Sequence, residues 1–311
     1  MRKQVVFFWS KEHKDKFLTD EYKYPTFRSF ASKANEHFDY FLAFGKETHI
    51  GKGIFKPVFK FKNNKLVEHP HEVSADVVLK YDLELEGDRG NARFIYNLGF
   101  NEMCKNKIDT YQFLSEFSPQ THFCKSEEQY VAAIKNISTE KFAVKPNRGV
   151  CGRDVYILNK ANSEIPQNLR DILHGDGVIV QEFIDTSQGC PGIAESMHDL
   201  RLSMINDKNI MASVSTPSPG SLIANWHQGA NVIEVDVEKL PLPVTNFRDQ
   251  VHKKIKEKYG SVMYNIDLGV TSHGPKLIEL NSPIAFPRPN WKCTDLYLSN
   301  LIKYIDSLPL H

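Results

Sequence analysis

Apolar residues recur along this chain at two spacings, and each change of spacing marks a change of predicted element. Near the N-terminus Val5-Val6-Phe7-Phe8-Trp9 is an unbroken apolar run, the signature of a strand buried on both faces. A helical stretch is expected near 26–37 and a second strand at 39–44, so residues 1–100 read as a mixed α/β unit. Residues 51–68 look hairpin-like, with Phe55, Val58, Phe59 and Phe61 turned inward and Lys52, Lys56, Lys60, Lys62 and Lys65 outward. Ala75-Asp76-Val77-Val78-Leu79-Lys80 follows. Around 101–117 the spacing lengthens: Cys104, Ile108, Tyr111 and Leu114 predict one helix carrying Lys107 beside its apolar stripe. Ser126 opens a short helix to Asn136, with Tyr130, Ala133 and Ile134 on its apolar side. Strands follow at 142–146, 155–158, 178–180, 200–206, 210–215, 231–236, 261–268 and 276–281, with helices expected at 166–173 and 246–259.

Composition narrows the class. At 311 residues the chain is long enough for two or three domains, and 41% hydrophobic with 25% charged residues is ordinary for a globular protein. The formal net charge of +1 argues against broad affinity for nucleic acid or membranes. No run approaches the roughly 18 apolar residues of a membrane helix. The opening run fails as a secretion signal because Lys11, Glu12 and Lys14 follow it at once. Five scattered cysteines (Cys104, Cys124, Cys151, Cys190, Cys293) suggest reduced thiols in the cytoplasm rather than a disulfide framework or a zinc site.

Three segments carry candidate chemistry. In Val262–Gly269 the period is two, with Val262, Tyr264, Ile266 and Leu268 on one face and Asp267 on the other. Leu277-Ile278-Glu279-Leu280-Asn281 repeats the pattern, placing Glu279 and Asn281 on one face and Ile278 and Leu280 on the opposite one. If these strands pair, three oxygen-bearing side chains converge, a set suited to Mg²⁺ held together with phosphate oxygens; a polar solvent face is the alternative. The second segment, Lys145–Asp154, sets a lysine at a strand end before a loop with Gly149 and Gly152. Backbone amides of such a loop can approach phosphate, though a plain hairpin turn has the same composition. In the third, Val178–Ile184, an apolar strand runs into a linker and is either a core strand or one whose backbone meets an adenine ring.

The order of these features resembles the ATP-grasp superfamily. Lys107, Lys145 with its glycine loop, Gln181-Glu182-Phe183-Ile184, Asp199-Leu200-Arg201, Asn225-Trp226-His227-Gln228-Gly229, Asp267-Leu268-Gly269 and Glu279-Leu280-Asn281 follow one another between about residues 95 and 285. Within that superfamily the sequence looks most like the glutathione synthetase and ribosomal-protein glutamate ligase branch. The resemblance implies an α/β (α+β) ATP-grasp fold: an N-terminal pre-ATP-grasp domain at 1–100, a central subdomain at 101–184, and a C-terminal subdomain at 185–311, with ATP between the last two.

It also implies roles. Lys107 and Lys145 would contact the phosphates, and the loop with Arg148, Gly149 and Gly152 would close over them. Gln181, Glu182, Phe183 and Ile184 would line the adenine, with a minor place for Asp185 at the ribose. Asp267, Glu279 and Asn281 would hold two Mg²⁺ ions, for which Mn²⁺ can substitute. Arg201 would steady an acyl phosphate, and Asn225 would support the metal–phosphate end. The implied activity is an ATP-dependent carboxylate–amine ligase that releases ADP and phosphate. Its partners would be small-molecule or peptide acids and amines, and a homo-oligomer is compatible with it. A peptide- or protein-modifying ligase and a small-molecule kinase are the alternatives; the lysines at 51–65 lend the kinase its support. Two departures from the family pattern concern the acceptor: the long stretch 185–198, and Ser282–Pro289, where Arg288 is either a substrate-carboxylate contact or a surface arginine. Cys151 reads as a plain loop residue rather than a nucleophile.

Overall fold

The N-terminal apolar run forms β1 (Gln4–Trp9), the strand around which the first part of the chain is built. A computed structural model describes residues 2–309 apart from 20–23, 64, 81–87, 89, 96, 150–152, 226–227, 283 and 285. Its contacts define two units, Met1–Asn97 with Pro283–His311, and Leu98–Ser282. Among the described residues no helix is long and apolar enough to cross a membrane.

In the first unit β1 is followed by α1 (His13–Lys16), α2 (Tyr24–Ala34), β2 (Asp39–Phe44), β3 (His49–Gly51), β4 (Ile54–Phe55), β5 (Val58–Lys62), β6 (Lys65–His69), β7 (Val73–Ser74), β8 (Val77–Lys80) and β9 (Arg93–Ile95). The main sheet has the order β6-β5-β2-β1-β8-β9, with β1 parallel to both neighbours. A central parallel strand needs cover on both faces, which accounts for its unbroken apolar run. Val6 and Phe8 join one core cluster, while Phe7 meets the rings of Phe27 and Phe30 on α2. The β5–β6 hairpin forms as expected, with Phe55, Val58 and Phe59 buried and Phe61 half-buried. Phe59 is covered by Lys14, whose ammonium lies 4.1 Å from the ring centroid. Lys60 is held by Asp39 at 3.3 Å and sits over Phe41, so part of the lysine cluster serves the unit's own packing.

The second unit contains α3 (Leu98–Lys105), α4 (Lys107–Phe113), β10 (Thr121–Cys124), α5 (Glu127–Asn136), β11 (Lys141–Pro146), β12 (Tyr156–Asn159), α6 (Gln167–His174), β13 (Val178–Glu182), β14 (Asp199–Ile205), β15 (Lys208–Thr216), β16 (Asn231–Val235), α7 (Leu242–Tyr259), β17 (Tyr264–Thr271) and β18 (Gly274–Asn281). Its first sheet, β10-β13-β11-β12, packs Phe142, Val144, Val178 and Val180 against Tyr130 and Ala133 of α5 and Leu169 and Leu173 of α6. Its second sheet, β16-β15-β14-β17-β18, packs Leu200, Leu202, Tyr264, Ile266 and Leu268 against Phe100 of α3 and Val244, Val251 and Ile255 of α7. Every pairing in both sheets is antiparallel. One face of the second sheet is thus apolar, leaving the other to polar side chains.

Two expectations are corrected here. The single helix predicted around 101–117 is two, because Asn106 adopts an extended conformation (φ −97°, ψ 97°). Asn147, at the end of β11, takes the first amides of α4: Lys107 N–H donates to its carbonyl at 3.1 Å and Ile108 N–H to its Oδ1 at 3.0 Å. Lys107 therefore opens a helix rather than riding mid-helix beside Cys104. The chain also ends in a helix that the sequence reading left out, α8 (Thr294–Ser307), and the stretch 283–311 groups with the first unit rather than with 185–282. Lys3 anchors this return, its ammonium donating to the carbonyls of Ile305, Asp306 and Leu308 at 2.9, 2.7 and 2.8 Å.

Candidate functional site

Alternation places the polar residues of the second sheet together. On β14 Leu200 and Leu202 enter the core, so Asp199, Arg201 and Ser203 take the other face, and Asn265 and Asp267 do the same on β17. Register sets Arg201 opposite Asp267, Ser203 opposite Asn265, Asp267 opposite Glu279, and Asn265 opposite Asn281. Arg201 grips Asp267 with two parallel bonds, Nε to Oδ1 at 2.7 Å and Nη2 to Oδ2 at 2.6 Å. Asn281 Nδ2 donates to Asp267 Oδ2 at 2.8 Å. Ser203 Oγ donates to Asn265 Oδ1 at 2.7 Å, tying the two strands beneath the charged residues.

The strand carrying Glu279 departs from its expected pattern. The register between β17 and β18 shifts between Asp267 and Leu268, a bulge that places Leu277 as well as Leu280 in the core. Ile278 is thereby removed from the face opposite Glu279. Its Cδ1 lies 3.6 Å from where a Cβ on Gly269 would stand, beside the methyls of Thr186 at 2.6 Å and Ile184 at 2.8 Å. Any side chain at position 269 would displace these groups, so Gly269 lets the segment after β13 approach the sheet.

The two predicted lysines meet this face. Lys145, at the end of β11, is buried, and its ammonium donates to Tyr111 Oη at 2.5 Å and to Gln181 Oε1 at 3.0 Å. Tyr111 Oη in turn donates to the Ile278 carbonyl at 2.6 Å, while Gln181 Nε2 donates to Thr121 Oγ1 at 2.8 Å. Lys107 Nζ donates to the Gly149 carbonyl at 2.7 Å and stands 3.8 Å from Glu279 Oε2. Arg148, which follows Asn147, reaches Glu102 at 3.3 Å, an exposed pair of small energetic weight.

Burial shifts the charges of these groups. It lowers Lys145 to about 8, opposed by the Glu279 and Asp199 carboxylates, and it lowers Lys107 as well. Burial also raises Asp267, opposed by Arg201, and raises Asp199 well above the usual carboxylate range with help from Asp267. Asp267 is charge-compensated: the Arg201 guanidinium beside it is itself pushed upward. Asp199 Oδ1 is buried with no hydrogen-bond partner among the described residues. Lys107, Lys145 and Arg201 thus stand among Asp199, Asp267 and Glu279, an arrangement suited to polyanion and metal together.

Among the described residues no three His, Cys, Asp or Glu side chains are close enough to hold a metal unaided. Asp267, Glu279 and Asn281 nevertheless offer oxygen donors on one sheet face, as Mg²⁺ prefers when phosphate completes its shell. The residues present fit such an ion.

The linker after β13 is ordered. The Glu182 carboxylate accepts from Gln120 N–H at 3.1 Å and from the Ser138 hydroxyl, so its side chain braces the neighbouring strand. Lys141 Nζ lies 5.8 Å from the centroid of the Phe183 ring. Asp185 Oδ1 accepts from Ser187 N–H at 2.9 Å, a local turn. The long stretch 185–198 is stapled at its ends by Thr186 Oγ1, which accepts from His198 N–H at 2.9 Å and donates to the His198 carbonyl at 3.0 Å. His198 Nδ1 meets the Ser196 carbonyl at 2.8 Å, and its Nε2 accepts from Val270 N–H at 3.3 Å.

Two further predicted residues make local contacts. Asn225 is half-buried, and its carbonyl accepts from the amides of Gln228 and Ala230 at 2.9 and 3.1 Å, organising a turn. Arg288 belongs to the first unit, where its guanidinium lies 5.8 Å from the centroid of the Trp291 ring. Gly152, Cys151, Trp226 and His227 lie outside the described residues. Tyr111, Asn147 and Asp199 are site residues to which no role was attached from sequence. Tyr111 counted there as one more apolar member of a helical stripe, whereas Asp199 was visible two positions before Arg201.

The RimK-like ATP-grasp domain family matches residues 104–292, well over half of the chain. The chain belongs to the RimK-like ATP-grasp family. A probable alpha-L-glutamate ligase of Legionella pneumophila (strain Corby) is 24% identical over 190 residues, covering 60% of this chain. The matched stretch spans 57% of that relative's own length. A Chryseobacterium gregarium RiPP-associated ATP-grasp ligase, solved with ADP and a leader and core peptide, superposes with a TM-score of 0.65 at 12% identity, covering 99% of this chain and 98% of that one. The D-alanyl-alanine synthetase A of Vibrio cholerae O1 biovar eltor str. N16961 gives a TM-score of 0.57 at 12% identity, covering 97% of this chain and 99% of the other. These likenesses establish an ATP-grasp fold of the mixed α/β kind expected from the sequence.

Proposed function

We propose that this RimK-like ATP-grasp protein is an ATP-dependent carboxylate–amine ligase that activates an amino-acid or peptide carboxylate and joins it to an amine, releasing ADP and phosphate. The observation carrying this reading is the meeting of Lys107, Lys145 and Arg201 with Asp267, Glu279 and Asn281 around one sheet face. Lys145 and Lys107 bind the nucleotide phosphates, beside the loop that Gly149 enters. The backbone from Gln181 to Ile184 receives the adenine, a role supported by the commitment of the Glu182 and Gln181 side chains elsewhere. Asp267, Glu279 and Asn281 would hold Mg²⁺, two ions by family likeness, with Mn²⁺ able to substitute, and the metal would supply positive charge to offset that of the phosphate oxygens.

Arg201 carries the discriminating role. Its side chain is 43% exposed while that of Asp267 is 4% exposed, so the guanidinium can turn a face outward without losing its partner. A fixed cation at that place stabilises the anion that develops when the substrate carboxylate takes the γ-phosphoryl group. The acyl phosphate then yields to the amine: the C–N bond forms, the C–O bond to phosphate breaks, and the amine proton leaves to solvent. Exclusion of water protects the intermediate and falls to the loop that begins at Arg148.

An acid labelled with ¹⁸O in its carboxylate tests the route. One ¹⁸O per turnover should appear in the released phosphate, and phosphate free of label would exclude an acyl-phosphate step.

A further inference from the structure

Tyr111 is 3% exposed, and the helical stripe it occupies asks only for an apolar side chain. Phenylalanine would fill that need, so the hydroxyl requires its own account. Its hydrogen-bond roles are assigned by its partners. The ammonium of Lys145 can only donate, so at 2.5 Å the phenol oxygen accepts; the Ile278 carbonyl can only accept, so at 2.6 Å the phenol donates. The hydroxyl therefore links a lysine on β11 to the bulge on β18, one residue before Glu279. Gln181 completes the support, taking a second Lys145 proton at 3.0 Å and itself anchored on Thr121. An ammonium has three protons, and two are committed among the described residues. The third is left for a ligand.

We propose that Tyr111 is a positioning residue that couples nucleotide binding at Lys145 to Mg²⁺ binding at Glu279, through one hydroxyl shared between the lysine and the Ile278 bulge. The inference rests on the ligase reading above, in which Lys145 meets phosphate and Glu279 meets metal. When phosphate draws on Lys145, the phenol transmits the displacement to the Ile278 carbonyl and so to the strand that presents Glu279. When a cation holds Glu279, the same link steadies Lys145. Two sites joined in this way raise each other's affinity by the same factor.

The test is calorimetric titration of the full-length protein with ADP, at negligible and at saturating Mg²⁺, for wild type, Tyr111→Phe, Tyr111→Met and Lys145→Met. The factor by which Mg²⁺ tightens ADP binding should fall roughly tenfold in Tyr111→Phe, the loss expected for one hydrogen bond to a charged group. Tyr111→Met should behave likewise, and it keeps the question open to measurement if the phenylalanine variant fails to fold. An unchanged factor overturns the coupling even if the melting temperature drops, because a purely structural hydroxyl would alter stability alone. Equal loss of ADP affinity with and without Mg²⁺ also overturns it, since Tyr111 would then serve the lysine only. If Lys145→Met leaves ADP binding untouched, the underlying nucleotide assignment fails instead.

Discussion

Glu279 and Asp267 stand opposite one another across two strands, yet their commitments differ. Asp267 accepts three hydrogen bonds from Arg201 and Asn281, whereas Glu279 has Lys107 at 3.8 Å as its one ion-pair partner among the described residues. Of these two, Glu279 is thus the carboxylate more available to a cation. Replacing it with glutamine keeps the shape and removes the charge; turnover should fall on the order of 10³-fold or more while the fold is retained. Full activity in a Glu279→Gln steady-state assay would remove the metal role. The pairing of Asp267 with Glu279 was legible from the period-two alternation of both segments. The placement of Ile278 was not, because a bulge depends on how two strands pair and not on either alone. Tyr111 was hidden for another reason: a tyrosine in an apolar stripe looks the same whether or not its hydroxyl has work.

At the scale of elements, the joins between segments decide more than the segments themselves. Strands and helices with strong periodicity were predictable to within a few residues, but the break at Asn106 comes from Asn147, distant in sequence, capturing the start of α4. The C-terminal helix, which buries Tyr297, Leu298, Leu301, Ile302 and Ile305, was left out of the sequence reading, and so was its union with the N-terminal strand through Lys3. Lysine 3 satisfies three carbonyls at the end of α8, and Lys3→Met should lower stability by about 1.5–3 kcal/mol. Urea unfolding monitored by circular dichroism would report it, and an unchanged midpoint would contradict the anchoring role.

The stapled stretch 185–198 adds a pH dependence. Burial holds His198 below its ordinary value of 6.5, with Nε2 as acceptor for Val270 N–H. The unfolded chain therefore gains this proton before the folded one does. Stability present above 6.5 is lost as pH falls through that value, with a slope of at most about 1.4 kcal/mol per pH unit from this group. His198→Gln should flatten the pH dependence of the urea midpoint between pH ~7.5 and ~5.5. An identical slope in the variant would show that the histidine does not contribute.

Over the whole molecule, a balanced composition with a net charge of +1 leaves the substrate to be read from the site and not from bulk electrostatics. The ATP-grasp family was recognisable because seven weak motifs fall in a constrained order, and the profile over 104–292 covers much the same ground. The acid and amine were less legible, since segments such as 185–198 and 282–289 depart from the family pattern. The lysines of β5 support a phosphorylated substrate less than they first did, now that Lys60 is paired with Asp39 and stacked on Phe41. The most direct test of ligase activity is phosphate release from ATP and Mg²⁺ by the purified protein, across pools of amino acids, short peptides and amines. Phosphate should appear only where an acid and an amine are both present. Formation of ADP without free phosphate in every productive pool, or phosphate release indifferent to acid and amine, would contradict it.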